Sequence, residues 1–284
     1  MSAYVCNLIV PGAGKSGTTS LHEILDRHPN IHMSRPKEPQ FFSFDDLFKK
    51  GPEAHNALFR TGGNIRFYGE SSQSYFVHEH AIARICASLD DPKAILLLRD
   101  PVERLLSHYR WNYKLAVERK VLAHALEERG LDTSYKFDKN VNMYRERGGY
   151  LAFSQYSKYV PQWQEALEPE NVLLLRTEDL QRDPSGVAAR CFDFLDLPAV
   201  RIEETMHKNT TAETTRVSMP WYLSSLAPFV PSRVKNTKRY IEIRQFLKRL
   251  MTPTPPKEIT PDEDRMIREL LAPDIAFYDA LEGV

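Results

Sequence analysis

Ten consecutive residues, Pro11-Gly-Ala-Gly-Lys-Ser-Gly-Thr-Thr-Ser20, gather three glycines, a lysine and four hydroxyls. Glycines let a backbone turn sharply, and a helix starting behind them leaves its first N–H groups without internal partners. With the helix dipole, Lys15 and the hydroxyls of Ser16, Thr18, Thr19 and Ser20, Gly17 would belong to a cradle for phosphate or sulfate. A second basic group, Arg99, stands eight residues before Ser107, and together they can grip one phosphate from two sides. Between these sets lies Glu70, a carboxylate suited to accepting a proton. The implied ligand carries two anionic groups, and Glu70 is either a base beside it or a surface carboxylate capping the following turn.

Those side chains need elements to position them. Val5-Cys-Asn-Leu-Ile-Val10 reads as a short buried strand entering the loop, and Leu21, Ile24, Leu25 and His28 mark one face of the helix leaving it. Asn30-Ile-His-Met33 is a short strand, and the prolines of Arg35-Pro-Lys-Glu-Pro-Gln-Phe-Phe42 rule out a regular helix after it. Residues 45–64 have weak helical character. In Ile65-Arg-Phe-Tyr-Gly-Glu70 alternation predicts a strand ending at Glu70, where ligands of open α/β sheets bind. A helix over 77–89 precedes the apolar strand Lys93-Ala-Ile-Leu-Leu-Leu98, whose tip is Arg99. Asp100 caps the next helix, and Pro101 is its favoured first residue. An irregular loop is expected near 130–140, then a helix opened by Gly148-Gly-Tyr150, running to Leu167 and kinked at Pro161. Asn171-Val-Leu-Leu-Leu175 is a further strand. The expected fold is α/β, a three-layer sandwich with a central, mostly parallel sheet flanked by helices, as in P-loop NTPases.

Lys+Arg and Asp+Glu both number 38, so no whole-protein field recruits nucleic acid or an anionic membrane. Cys6 and Cys86 lie within apolar patterns and are expected in the core, and no Cys/His spacing suggests zinc. No stretch approaches membrane-spanning length and no secretory leader pattern opens the chain, so a cytoplasmic location is expected.

The P-loop NTPase pattern requires a glycine at position 9, where this chain has Ile9. Lys15-Ser-Gly-Thr-Thr-Ser-Leu21 instead resembles the phosphosulfate loop of sulfotransferases that use 3'-phosphoadenosine 5'-phosphosulfate (PAPS). Arg99-Asp-Pro-Val-Glu-Arg-Leu-Leu-Ser107 resembles the block holding the donor's 3'-phosphate, with Arg99 and Ser107 at its ligand positions. Glu70-Ser-Ser-Gln-Ser-Tyr-Phe76 resembles a block of the heparan-modifying branch, although Gln73 replaces its proline. Lys37-Glu-Pro-Gln-Phe-Phe42 is also similar to that branch, and places Lys37 and Glu38 along the site. Glu178-Asp-Leu-Gln-Arg-Asp-Pro184 resembles a scaffold block.

The resemblance implies one sulfotransferase domain over 1–284, a variable acceptor side over 111–147 and C-terminal helices within 221–284. It implies PAPS as co-substrate, PAP as product, no metal, and an acceptor hydroxyl on a small metabolite or short glycan. Lys15 and Glu70 would be catalytic, with His78 and His108 as alternative bases. Lys208, Asn209 and Arg216 would cover the nucleotide from a late polar loop. A P-loop kinase and a non-catalytic nucleotide-binding protein remain alternatives, separable by PAP binding and by sulfate transfer.

Overall fold

Strand β1 (Leu8–Val10) is apolar and buried along its whole length, as befits the middle of a sheet covered on both faces. It lies between β3 (Phe67–Ser71) and β4 (Lys93–Leu98), with β2 (Ile31–Met33) and β7 (Val172–Arg176) outside them. All pairings in this sheet, ordered β2-β3-β1-β4-β7, are parallel. The computed structural model describes residues 4–60, 62–114, 117–118, 120–138, 143–146, 148–200, 202 and 259–281.

Helices cover both faces. On one lie α1 (Thr18–Asp26), α8 (Thr177–Arg182) and α9 (Pro184–Phe194), packing Leu21, Leu25, Leu180 and Phe192 on Leu8, Val10 and Leu97. On the other lie α4 (Glu79–Ser88) and α7 (Tyr156–Leu167), beside an aromatic wall of Phe41, Phe42, Phe59 and Tyr75. Short helices α2 (Asp45–Phe48) and α3 (Gly51–Asn56) fall within the stretch of weak helical character. Helices α5 (Pro101–Lys114) and α6 (Leu122–Arg129) form a third cluster with α10 (Pro261–Leu270), and α11 (Ala272–Asp279) docks against α5 and α7. The three-layer parallel arrangement expected from sequence is present.

Three local expectations differ. Residues 135–146 include an antiparallel hairpin, β5 (Tyr135–Asp138) with β6 (Met143–Glu146), where the sequence suggested helices around an irregular loop near 130–140. A 3₁₀ turn, Ala152–Ser154, precedes α7, so the helix starts at Tyr156 rather than at Tyr150. Cys86 is exposed while Cys6 and Cys191 are buried. The buried face of α4 is set by Ala81, Ile82 and Ile85, and Cys86 falls off it. Among the described residues no helix is long and apolar enough to cross a membrane.

Candidate functional site

The sheet changes direction of growth at β1, since β3 and β4 flank it, and ligands of such sheets sit beyond the carboxyl ends at that point. The glycine-rich loop lies there. Ala13 N donates to Leu97 O at 2.8 Å and Leu97 N to Gly12 O at 2.8 Å, so the loop begins as an extension of β1 along β4. Gly12 has φ +150°, and a Cβ on it would meet Phe76 Cβ at 3.1 Å. Lys15 adopts a left-handed φ of 71°, a strained conformation for a lysine and one typical of functional loops. Gly17 is the N-cap of α1 at φ 91°, and no side chain caps the helix. Thr18 is buried at its first position, and Thr19 is exposed. Ser20 is half-buried, and Ser16 Oγ is fully buried without a hydrogen-bond partner among the described residues.

Lys15 Nζ rests 4.2 Å above the Trp111 ring. Burial draws its ammonium down to about 8; the charges of Glu146 and Glu38 oppose this, and those of Arg104 and Arg99 add to it. The loop is tied from beneath by Thr177, whose hydroxyl bonds Ser16 O at 2.6 Å and Leu98 O at 2.9 Å. Nothing in the sequence marked Thr177 for this place, and Trp111 was marked as part of the 111–147 acceptor side but not as the neighbour of Lys15.

The second basic block starts where β4 ends. Asp100 Oδ1 accepts from Glu103 N at 2.8 Å, capping α5, and Arg99 reaches Glu103 at 3.2 Å. The Tyr156 hydroxyl donates to Arg99 O at 2.9 Å and fixes the strand tip, while Ser107 stays half-buried further along α5. Arg104 is fully buried: Nε bonds Ser154 Oγ at 2.6 Å, Nη2 bonds Tyr150 O at 2.5 Å, and Nη1 donates to Gly14 O at 3.4 Å. It ties α5 to the glycine-rich loop. Glu178 bridges Asp100 N at 3.5 Å and the Tyr278 hydroxyl of α11.

Glu70 does not face this site. It pairs in register with Ile9, pointing into the aromatic core, where it is 0% exposed and bonds His55 Nε2 at 2.9 Å. A substrate cannot reach it there, so its expected role as base fails on access. The alternative bases are also engaged. His108 Nε2 faces Glu146 Oε1 at 3.2 Å and its Nδ1 faces Arg104 Nη1 at 3.5 Å, which assigns a neutral ring protonated at Nε2. Burial lowers its pKa. His78 lies against Thr133 O at 3.0 Å and Ser43 Oγ at 3.2 Å.

The carboxylates whose charge acts on Lys15 are Glu146 and Glu38. Glu38 N donates to Ser71 O at the end of β3, its φ is 61°, and its half-buried carboxylate meets Lys37 Nζ at 2.7 Å. Lys208, Asn209 and Arg216 lie outside the described residues.

Residues 7–239, most of the chain, match the family model described as "Sulfotransferase domain". The chain belongs to this family. Mouse heparan sulfate glucosamine 3-O-sulfotransferase 3B1 is 27% identical over 203 residues, which cover 72% of this sulfotransferase chain and 49% of the relative. The Caenorhabditis briggsae bifunctional heparan sulfate N-deacetylase/N-sulfotransferase 1 is 26% identical, over 69% of this chain and 23% of the relative. Thus the alignment spans about half the length of the first of these relatives or less. A solved sulfotransferase from Alicyclobacillus acidocaldarius superposes with TM-score 0.67 at 22% identity, covering 97% of this chain and 95% of that one. A mouse sulfotransferase in complex with PAP superposes with TM-score 0.52 at 15% identity, covering 97% and 85%. These two likenesses bear out the expected sulfotransferase fold.

Proposed function

We propose that this sulfotransferase moves a sulfuryl group from PAPS to a hydroxyl of a small metabolite or short glycan. One observation carries the reading: the hydrogen bond from Ala13 N to Leu97 O sets the glycine-rich loop beside the Arg99 tip, at the carboxyl ends of two adjacent inner strands. A donor with phosphates on both sides of an adenosine needs two such anion sites. The loop fits a phosphate on structural grounds, through the unpartnered Ser16 Oγ and the uncapped start of α1. Lys15, Ser16, Gly17, Thr18, Thr19 and Ser20 would hold the 5'-phosphosulfate, and Arg99 with Ser107 the 3'-phosphate.

The donor supplies an activated sulfuryl group, whose reaction resembles phosphoryl transfer and depends on positioning and charge stabilisation. Lys15 offsets the charge that the departing 5'-phosphate oxygen acquires as its bond to sulfur breaks. Glu38 takes the proton from the acceptor hydroxyl as its oxygen bonds to sulfur. This assignment replaces Glu70 and rests on access, on the strained φ of Glu38 and on its charge acting at Lys15. The names of the heparan sulfate relatives support a sugar hydroxyl as acceptor, and so does Trp111, an aromatic face beside Lys15.

Two measurements test the reading. PAP should raise the melting temperature where Mg-ATP does not, and labelled sulfate should pass from PAPS to a hydroxylated acceptor panel. Lys15→Ala should lower single-turnover transfer by ~10²–10³-fold, the range for removing one transition-state charge stabiliser. Stabilisation by Mg-ATP alone, or full turnover without Lys15, would refute it.

A further inference from the structure

The β5–β6 hairpin ends at Glu146, whose carboxylate is clamped by side chains of two other elements. Oε1 accepts from His108 Nε2 on α5 at 3.2 Å, and Oε2 from Gln73 Nε2, beyond β3, at 2.9 Å. The other end of the Gln73 amide reaches the donor loop: its Oε1 would lie 2.3 Å from a Cβ placed on Gly14. From the opposite side Arg104 donates to Gly14 O at 3.4 Å and faces His108 Nδ1 at 3.5 Å. A continuous belt therefore runs Arg104–His108–Glu146–Gln73 around the residue that precedes Lys15. We propose that Glu146, held by His108 and Gln73, is a positioning residue whose carboxylate is the counter-charge for the Lys15 ammonium.

The inference rests on the reading of Lys15 as the group that offsets leaving-group charge. Charged groups acting on Lys15 are Glu146 from the hairpin, Arg104 from α5, Glu38 from the segment after β2 and Arg99 from the strand tip; Trp111 of α5 lies beneath it. Neutral His108 also lies within its field. Glu146 itself faces His108, Lys15, Arg104 and Tyr135. Burial alone would raise the Glu146 carboxyl, but the hydrogen bond from His108 and the charge of Lys15 oppose it, and its pKa is lowered. It is therefore ionised at neutral pH. Without that charge, Lys15 would face two guanidiniums with Glu38 as the remaining carboxylate acting on it, and its ammonium would lose its proton more readily.

The test is the pH profile of kcat/KM for PAPS. The wild-type profile should fall on its alkaline side near pH 8, where Lys15 deprotonates. Glu146→Gln, an isosteric change that can keep a hydrogen bond, should move that limb to lower pH by about one unit. Glu146→Asp should restore it toward the wild-type position, and Gln73→Leu, which frees one side of the clamp, should shift it in the same direction by less. In Lys15→Arg the guanidinium does not titrate in this range, so adding Glu146→Gln there should shift nothing further. An unmoved alkaline limb in a folded Glu146→Gln enzyme overturns the proposal, and so does a change confined to the acceptor KM. Full turnover in Lys15→Ala would instead remove the reading of Lys15 on which it stands.

Discussion

At the scale of single residues, the chemistry depends on which carboxylate can meet a substrate. Glu70 and Glu38 are both tied to the end of β3, one by sequence and the other through the hydrogen bond from its N–H to Ser71 O. Burial separates them. Glu70 shares the face of Ile9 and is buried with His55, whereas Glu38 is half-buried beside Lys37. Replacing Glu38 with Gln should lower kcat by ~10²–10⁴-fold, the range for losing a positioned base. Stability should change little, because a partly exposed ion pair contributes about 0–1 kcal/mol. Glu70→Ala should do the opposite. It strands His55 in an aromatic cage and should cost about 3–5 kcal/mol of unfolding free energy, while the folded fraction keeps near-normal turnover. Single-turnover rates paired with urea midpoints distinguish the two, and a folded Glu38→Gln enzyme with wild-type kcat would return the question of the base to the remaining carboxylates.

At the scale of elements, the donor loop is positioned by neighbours that tie down its carbonyls. Thr177 sits where β7 passes into α8 and bonds both Ser16 O and Leu98 O, linking the two strand tips that carry the anion sites. Thr177→Val keeps the shape and leaves both carbonyls without that donor, so it should lower stability by about 1–3 kcal/mol. Calorimetric titration with PAP should then give a Kd weaker by about tenfold, equivalent to roughly 1.4 kcal/mol. An unchanged Kd would mean that Thr177 only braces the fold.

Such ties explain what sequence could and could not reveal. The strands β1, β4 and β7 were legible because each is an apolar run, and α1 because its apolar residues repeat with helical spacing. The face of Glu70 was not legible. Alternation over 65–70 set Glu70 on the face opposite Phe67, but both faces of this sheet are covered, so it did not say which of them meets the site. Its partner His55 lies fifteen residues upstream, in a helix of six. The hairpin was hidden for a related reason: β5 and β6 read Tyr-Lys-Phe-Asp and Met-Tyr-Arg-Glu, too short and mixed to signal strands.

Across the whole molecule, buried histidines make stability depend on pH in one direction. His22 packs behind the donor loop with Nδ1 2.9 Å from Ser71 Oγ, and it is 8% exposed. Burial draws its pKa down to about 4 from an ordinary 6.5, helped by the charge of Lys37. Burial also lowers His78 and His108. The folded pKa lies below the unfolded one, so near neutral pH the native ring is uncharged and the unfolded chain binds more protons as the pH falls. The stability linked to His22 is thus fully present above pH 6.5 and is lost progressively as pH falls through 4. For His22 alone the full loss is about 3 kcal/mol, from 1.36 kcal/mol per pKa unit. Lys15 does not confuse the measurement: its pKa is lowered to about 8 from 10.5, so its linked change falls between those values and is flat below pH 7. Urea midpoints taken from pH 7.5 down to 4.5 should therefore fall steadily. His22→Gln, which has no titrating ring at this position, should flatten that slope by a measurable share. A wild-type midpoint that stays level to pH 5 would show that these rings accept protons without opening the fold.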